Sequence, residues 1–208
     1  MVLFNGDGFD YVGVLEAVSR AQAVVRIGEQ VALENELAVP VVLYAALLKG
    51  DTMDKVVQKA VELGVCRLVP VMASRCEVVL KGARLDSKLA HWQGVAVASA
   101  QQCGRARLMA ITPPVEFSQG VEMASGLRWI FSPYEVDEAL DEGVRVEEVS
   151  LLVGAEGGWT PEEVAFARDR GWRAQKLGKR ILRADTASVA AVLRAQFVLG
   201  EEAGDDST

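Results

Sequence analysis

The sequence is poor in the residues that build metal and disulfide sites. It contains one histidine, His91, and three widely spaced cysteines, Cys66, Cys76 and Cys103, with no Cys-x-x-Cys pair. A single histidine excludes multi-histidine metal sites, and because His91 falls in the middle of a helical pattern we expect no histidine-based triad. The cysteine spacing favours neither a disulfide framework nor a thiolate zinc site. We therefore expect no metal and a cytoplasmic location, and we expect His91, beside Trp92 in a helical pattern, to lie on a helix face.

Long apolar runs and an excess of positive charge are also missing. No run approaches the roughly 18 apolar residues of a membrane helix, and no basic segment leads into an apolar one at the start, so neither insertion nor export is expected. The net charge of −7 argues against a surface that attracts nucleic acid everywhere. Residues 41–120, however, carry 10 basic and 6 acidic side chains, whereas 1–40 carry 2 and 6. This difference predicts a local basic face.

The first part of the chain has the pattern of a small antiparallel sheet. Residues 1–37 alternate as strands do, and Asn-Gly-Asp-Gly at 5–8 is a strong turn signal. Three or four such strands enclose little interior. We expect this segment to pack against the rest of the chain or to be the remainder of a larger barrel. The boundary between the two parts of the chain is expected near 38–40.

The second part alternates strands and helices, which is typical of a mostly parallel sheet covered by helices on both faces. Strands are predicted at 41–47, 65–72, 107–111, 128–131, 149–153 and 174–177. Helices are predicted at 51–64 with Asp51 as N-cap, at 84–103, after Pro133, after Thr160, and at 186–202. The last helix is apolar nearly all round, so we expect it to lie in the core, in a subunit interface, or in both.

A glycine-rich loop follows the buried strand 149–153. It reads Gly-Ala-Glu-Gly-Gly at 154–158 and leads into a helix whose start combines Thr160, Pro161 and Glu163 as a capping box. Such loops at the carboxyl ends of strands bind ligands in open α/β sheets. The loop matches no phosphate-binding template, and Glu156 is unfavourable beside a phosphate, so an uncharged or cationic ligand is favoured. A tight turn without a ligand is the alternative interpretation.

A second loop, at 177–187, brings three cations and two large apolar residues directly before the last helix. Alone, this pattern indicates a solvated loop with a helix cap. Together with 154–158, it allows Ile181 and Leu182 to form the walls of an adenine pocket, with backbone near Gly178 and Leu182 reading the edge of the base.

These segments resemble the ribosomal RNA small subunit methyltransferase E family of the SPOUT class. The resemblance rests on 154–158 and on Leu-Gly-Lys-Arg-Ile-Leu-Arg at 177–183 with Asp-Thr-Ala at 185–187. Shorter matches begin at Lys49, Gln58, Ser74 and Gln102 and keep the family's order. The chain departs from the family at Ala155, where proline is usual, and at 184–185, where Thr-Glu is usual. At the N-terminus, we expect it to begin inside the barrel of the family, without the first strands.

The resemblance implies the fold, the partners and the chemistry. It implies a partial PUA-like, RNA-binding β-barrel segment at 1–38 and a SPOUT domain at 39–208 with a C-terminal trefoil knot. It also implies a homodimer that uses S-adenosylmethionine to methylate N3 of a uridine in small-subunit (16S) ribosomal RNA, either as naked RNA or in the assembled small subunit. The cofactor-binding residues that it implies are Phe131, Ser132, Pro133, Gly154, Ala155, Glu156, Gly157, Gly158, Leu177, Gly178, Ile181, Leu182, Arg183, Thr186 and Ala187.

Methyl transfer to a uridine nitrogen requires alignment and stabilisation of charge on the uracil oxygens. Arginine donates two hydrogen bonds to one flat edge, so Arg75, Arg105 and Arg183 are the candidate catalytic residues, although each is equally compatible with a solvated or phosphate-binding role. A carboxylate, water, or a lowered pKa of the uridine would deal with the N3 proton. The alternative functions are a catalytically inactive ribosome- or RNA-binding protein of the same fold, and a nicotinamide enzyme, which the missing Gly-x-Gly-x-x-Gly disfavours.

Overall fold

The structure is a computed structural model that describes residues 2–4, 6–33, 35–134 and 146–200. Its strands are β1 (Val2–Phe4), β2 (Phe9–Val18), β3 (Ala23–Ala32), β4 (Val41–Ala46), β5 (Arg67–Met72), β6 (Ala110–Ile111), β7 (Val115–Glu116), β8 (Leu127–Phe131), β9 (Val149–Val153) and β10 (Arg173–Gln175). Its helices are α1 (Thr52–Glu62), α2 (Ala83–Cys103), α3 (Phe117–Met123), α4 (Pro161–Arg168) and α5 (Ala184–Leu199). Within these ranges, no helix is long and apolar enough to cross a bilayer.

The N-terminal strands form a separate antiparallel sheet in the order β1-β2-β3. Gly6 and Gly8 lie at φ +80 and +102, as a glycine-dependent turn requires. β2 and β3 are longer than the short strands predicted, at ten residues each. No residue of β3 is buried and only Gly13 of β2 is, so this sheet has little interior of its own, as the pattern predicted.

The predicted parallel sheet is confirmed, with the order β10-β8-β9-β4-β5-β6 and with β7 also paired to β5. Every pairing in it is parallel. β4 and β9 are buried along their whole length, because they lie in the middle of the sheet and are covered by helices. The predicted boundary at 38–40 falls between the two sheets, after β3 and before β4.

The outer edge beside β5 differs from the prediction. The strand expected at 107–111 is reduced to β6, and the chain pairs with β5 again at β7. Pro113 and Pro114 stand between these two pieces and have no N–H to donate to a neighbouring strand, so pairing is interrupted there. Helix α3, which follows directly, was not predicted.

Helix α1 buries the stripe that its spacing predicted, and α2 buries the later part of its stripe, since Leu85 and Leu89 are only half-buried. Met53, Val56 and Val57 of α1 are buried, as are Trp92 and Ala96 of α2. The two helices pack against each other, and α1 also packs against α5. Asp51 occupies the predicted N-cap position of α1, but its side chain makes no capping hydrogen bond.

Helix α5 begins at Ala184, two residues earlier than predicted, with Arg183 as its N-cap. One face is buried in the core through Ala184, Ser188, Ala191, Val192 and Ala195. The opposite face leaves Leu193 48% and Phe197 67% exposed. The expected core contact is therefore present, and an apolar outer face remains. The helix predicted after Pro133 lies largely outside the described residues. The acidic residues of the tail lie wholly outside them.

Candidate functional site

A cleft lies at the carboxyl ends of three adjacent strands, β8, β9 and β10. Since these strands run parallel, the segments that follow them meet at the same edge of the sheet. The cleft is lined by residues from 131–134, 153–158 and 175–187. The two loops that the sequence singled out are thus brought together, although they are about twenty residues apart in the chain.

Most of the residues predicted to bind a cofactor line this cleft. They are Phe131, Ser132, Pro133, Gly154, Ala155, Glu156, Gly157, Gly158, Leu177, Gly178, Ile181, Leu182 and Ala187. Arg183 and Thr186 of the predicted set do not line it. Both are exposed, and the carbonyl of Arg183 accepts a hydrogen bond from the Ala187 N–H at 2.7 Å, within the first turn of α5.

The glycine loop is compact because side chains are missing where its backbone folds onto itself. A Cβ on Gly154 would lie 3.2 Å from Gly158 Cα and 3.3 Å from Trp159 Cε2. Gly158 has φ +65, and its N–H donates to the Ala155 carbonyl at 2.8 Å. Trp159 is buried against Phe117, with ring centroids 5.3 Å apart, and anchors the end of the loop. The loop therefore presents backbone rather than side chains to the cleft.

The predicted capping box at the start of α4 is confirmed. The Glu163 N–H donates to Thr160 Oγ1 at 3.2 Å, and the Thr160 N–H donates to Glu163 Oε2 at 2.8 Å. The second oxygen of Glu163 accepts a hydrogen bond from the Ser74 N–H at 2.8 Å. This buried carboxylate consequently fixes the loop after β5 against the end of the glycine loop.

Arg75 is held against the backbone of the glycine loop. Its Nη1 donates to the carbonyls of Gly157 at 2.7 Å and Trp159 at 3.1 Å. The side chain is exposed, and within the described part of the chain its Nε and Nη2 make no hydrogen bond. Arg75 thus borders the cleft through Gly157 and retains free donors.

Arg105 lies elsewhere. It is 5% exposed, and it donates to both carboxylate oxygens of Glu36, at 3.1 and 2.6 Å, and to the carbonyls of Val61 and Val65, at 2.9 and 3.0 Å. Val65 precedes β5, so this network lies at the amino end of the sheet, opposite the cleft. Four of its five N–H groups therefore donate hydrogen bonds that hold the fold together.

The loop before α5 needs glycine for its conformation. Gly178 has φ +123, which L side chains rarely adopt, and a Cβ there would touch nothing within 4 Å. Ile181, at the mouth of the cleft, is 74% exposed, and Tyr134, on the facing segment, is 78% exposed. Among the described residues, these two side chains leave an uncovered apolar region beside the cleft.

Six cleft residues were not predicted: Tyr134, Val153, Gln175, Lys176, Arg180 and Ala184. Gln175 is the most unusual, because it ends a buried strand and is only 2% exposed. Its Oε1 accepts a hydrogen bond from Arg194 Nη2 at 3.2 Å, and its Nε2 has no partner among the described residues. No local pattern identifies it, because Gln175 stands between Ala174 and Lys176 in a three-residue strand that begins with Arg173.

His91 and two of the cysteines complete the description. His91 lies on the face of α2, as predicted, with its Nε2 2.8 Å from Asp54 Oδ2 of α1. Burial raises the pKa values of the Cys66 and Cys76 thiols. Within the described ranges, no group of three or more His, Cys, Asp or Glu side chains is placed to hold a metal ion.

Comparison with known protein families gives a match over most of the chain. A family model described as an RNA methyltransferase domain matches residues 35–196. Ribosomal RNA small subunit methyltransferase E of Synechocystis sp. is 32% identical over 211 residues, covering 95% of this chain and 68% of the relative. The protein of the same name from Mesomycoplasma hyopneumoniae is 30% identical over 162 residues, covering 77% of this chain and 71% of the relative.

Two solved structures are similar in both fold and sequence. A putative methyltransferase from Legionella pneumophila, in complex with the bound cofactor SAM, matches with a TM-score of 0.88 and 31% identity, covering 94% of this chain and 81% of its own. A ribosomal RNA small subunit methyltransferase E from Neisseria gonorrhoeae, bound to S-adenosyl methionine, matches with a TM-score of 0.88 and 30% identity, covering 95% of this chain and 82% of its own.

Proposed function

The chain belongs to the ribosomal RNA small subunit methyltransferase E family, and on this premise we propose that it transfers a methyl group from S-adenosylmethionine to N3 of a uridine in small-subunit (16S) ribosomal RNA. The observation that carries the proposal is the meeting of 131–134, 153–158 and 175–187 around one cleft. The relatives that bear this family's name, and the cofactor in two similar structures, support it. We place the activity in the cytoplasm.

The cleft suits this cofactor in shape and chemistry. Bare backbone at Gly157, Gly158 and Gly178 lets a flat ring approach N–H and C=O groups, and Ile181 and Leu182 provide apolar walls. Glu156 is compatible with a cationic ligand and unfavourable for a free phosphate. S-adenosylmethionine, when bound, supplies a methyl group activated by a sulfonium centre. The chain's own task is to align this donor with the uridine and to exclude water.

Arg75 is the residue that we assign to the uridine. Its Nη1 is fixed on the glycine loop, which leaves Nε and Nη2 to donate to one uracil oxygen as negative charge develops there. Arg183, exposed at the start of α5, is a second candidate for the RNA. We assign Arg105 no role in the reaction, because its N–H groups already donate hydrogen bonds within the folded chain. The uridine must leave its base stack to expose N3.

We assign the remaining parts of the chain as follows. Residues 39–208 form a SPOUT domain in which the segments around the cleft are threaded as a trefoil knot. Residues 1–38 form a PUA-like segment that contacts RNA. The protein acts as a homodimer through the outer face of α5, where Leu193 and Phe197 are exposed, and the partner covers the apolar region beside the cleft.

Methyl transfer to hypomethylated small subunits tests the proposal. The purified protein is incubated with these particles, or with naked 16S RNA, and with S-adenosylmethionine labelled in its methyl group, and nucleosides are then separated and identified by mass spectrometry. We expect one labelled nucleoside, N3-methyluridine. Label in another nucleoside would overturn the N3 assignment, and cofactor binding without any incorporation would favour an inactive RNA-binding protein.

A further inference from the structure

Gln175 is a buried polar side chain in the cleft that the reaction described above does not use. It is 2% exposed at the end of β10, and it lines the cleft. Its Nε2 has no hydrogen-bond partner among the described residues. An unpaired buried amide is costly, so such groups call for a partner that a ligand or water provides.

The orientation of this amide follows from its neighbour. Arg194 Nη2 lies 3.2 Å from Gln175 Oε1. Because a guanidinium only donates hydrogen bonds, the amide oxygen must face Arg194 and the NH2 group must face away from it. Arg194 thus fixes which end of the amide is available, and the available end is a donor.

Gln175 lines the cleft, and the register of the sheet places its backbone beside the first of the three segments that surround it. Gln175 is paired with Phe131 of β8, and the Gln175 carbonyl accepts a hydrogen bond from the Ser132 N–H at 3.0 Å. The chain then continues directly into Leu177 and the loop that carries Ile181. Gln175 therefore joins two of the three segments that surround the cleft.

We propose that Gln175 is a cofactor-binding residue whose Nε2 donates a hydrogen bond to an acceptor atom in the adenosine half of the cofactor, and that Arg194 is its positioning residue. The inference rests on the proposed function, since it assumes that S-adenosylmethionine occupies the cleft. The acceptor is a ring nitrogen of adenine or an oxygen of ribose. The bound cofactor then supplies the hydrogen-bond acceptor that Nε2 otherwise lacks.

Calorimetric titration with S-adenosylmethionine, and separately with adenosine, tests the assignment. Gln175→Leu removes the donor and retains the volume, and Gln175→Glu retains the oxygen that faces Arg194 while removing the donor. We expect both variants to bind each ligand about tenfold more weakly than the wild type. Gln196→Leu is the matched control, because Gln196 lies on α5 and donates to the Leu63 carbonyl at 2.7 Å, away from the cleft. Its affinities should equal those of the wild type.

Arg194 is tested by a direct observation of the amide. In ¹⁵N-edited NMR spectra, the Gln175 side-chain NH2 signals are assigned by their absence in Gln175→Leu, and they should shift downfield when S-adenosylmethionine is added. Arg194→Leu should reduce both this shift and the affinity, and Arg194→Lys, which keeps a donor, should restore them.

The outcomes separate this inference from the function on which it rests. Wild-type protein that binds neither ligand overturns both. Wild-type protein that binds S-adenosylmethionine, with unchanged affinity in both Gln175 variants and an unshifted NH2 signal, overturns the role of Gln175 alone. Loss of affinity for S-adenosylmethionine without loss for adenosine overturns the assignment to the adenosine half.

Discussion

Gly178 offers the sharpest test of how the cleft is built. Its φ of +123 lies outside the left-handed region that other residues occasionally adopt. Holding alanine in such a conformation costs about 1–3 kcal/mol. A Cβ at this position touches nothing within 4 Å, so Gly178→Ala changes the backbone preference and introduces no clash. The surrounding loop is largely exposed, and in the free protein we expect it to relax to another conformation.

Binding of the cofactor must then return the loop to its original conformation. The free energy that this change costs is subtracted from the free energy of binding, so the affinity falls. At about 1.4 kcal/mol per tenfold, Gly178→Ala should weaken S-adenosylmethionine binding about 5- to 150-fold in calorimetry. Gly104→Ala is the control: Gly104 has φ +76 and open space around its Cβ position, but it ends α2 and does not line the cleft. Equal affinities for Gly178→Ala and the wild type would refute the argument.

Three further predictions concern parts of the molecule outside the loop. Arg105→Met leaves the Glu36 carboxylate without its partner and should lower the free energy of unfolding in urea by about 3 kcal/mol. The affinity for S-adenosylmethionine should stay within twofold of the wild type. A large loss of affinity at unchanged stability would contradict a purely structural role. Phe197→Asp should give monomers in sedimentation velocity with unchanged circular dichroism, and a persistent dimer would exclude this face as the interface. Burial raises the folded-state pKa values of Cys66 and Cys76 above the unfolded value of 9.0, so the stability that they contribute is present below pH 9.0 and is lost as the pH rises beyond it. Replacing both cysteines with alanine should flatten the decline of unfolding free energy above pH 9.0, and an unchanged decline would assign it to other groups.

Strong local patterns account for the elements that the sequence predicted well. The apolar stripe of α1 and the capping box at Thr160 and Glu163 depend on residues three or four apart, so they are visible in the sequence and are confirmed in the structure. The central strands β4 and β9 were recognised because strands buried on both faces are continuously apolar.

The elements that were missed depend on contacts between distant residues. β7 has two residues, too few to show a period, and it exists because β5 pairs with it. The pairing with β5 likewise leaves only β6 of the strand predicted at 107–111. The environment of Arg105 depends on Glu36, 69 residues away in the chain. The unpaired amide of Gln175 depends on Arg194 and on the position of the strand in the sheet. Spacing along the chain contains no information about such pairs.

The cleft itself was predicted by combining both kinds of signal. Each glycine loop alone fits an ordinary turn, and the resemblance to a known family placed them in one site. The structure brings 154–158 and 177–182 to the same edge of the sheet, but it leaves Arg183 and Thr186 outside the cleft.

A crystal structure of the protein grown with S-adenosylmethionine would test the central claim most directly. The account predicts adenosine density between 131–134, 154–158 and 177–182, with Gln175 Nε2 within hydrogen-bond distance of the ligand. Cofactor density at any other place on the protein, with these three segments unchanged and facing solvent, would contradict it.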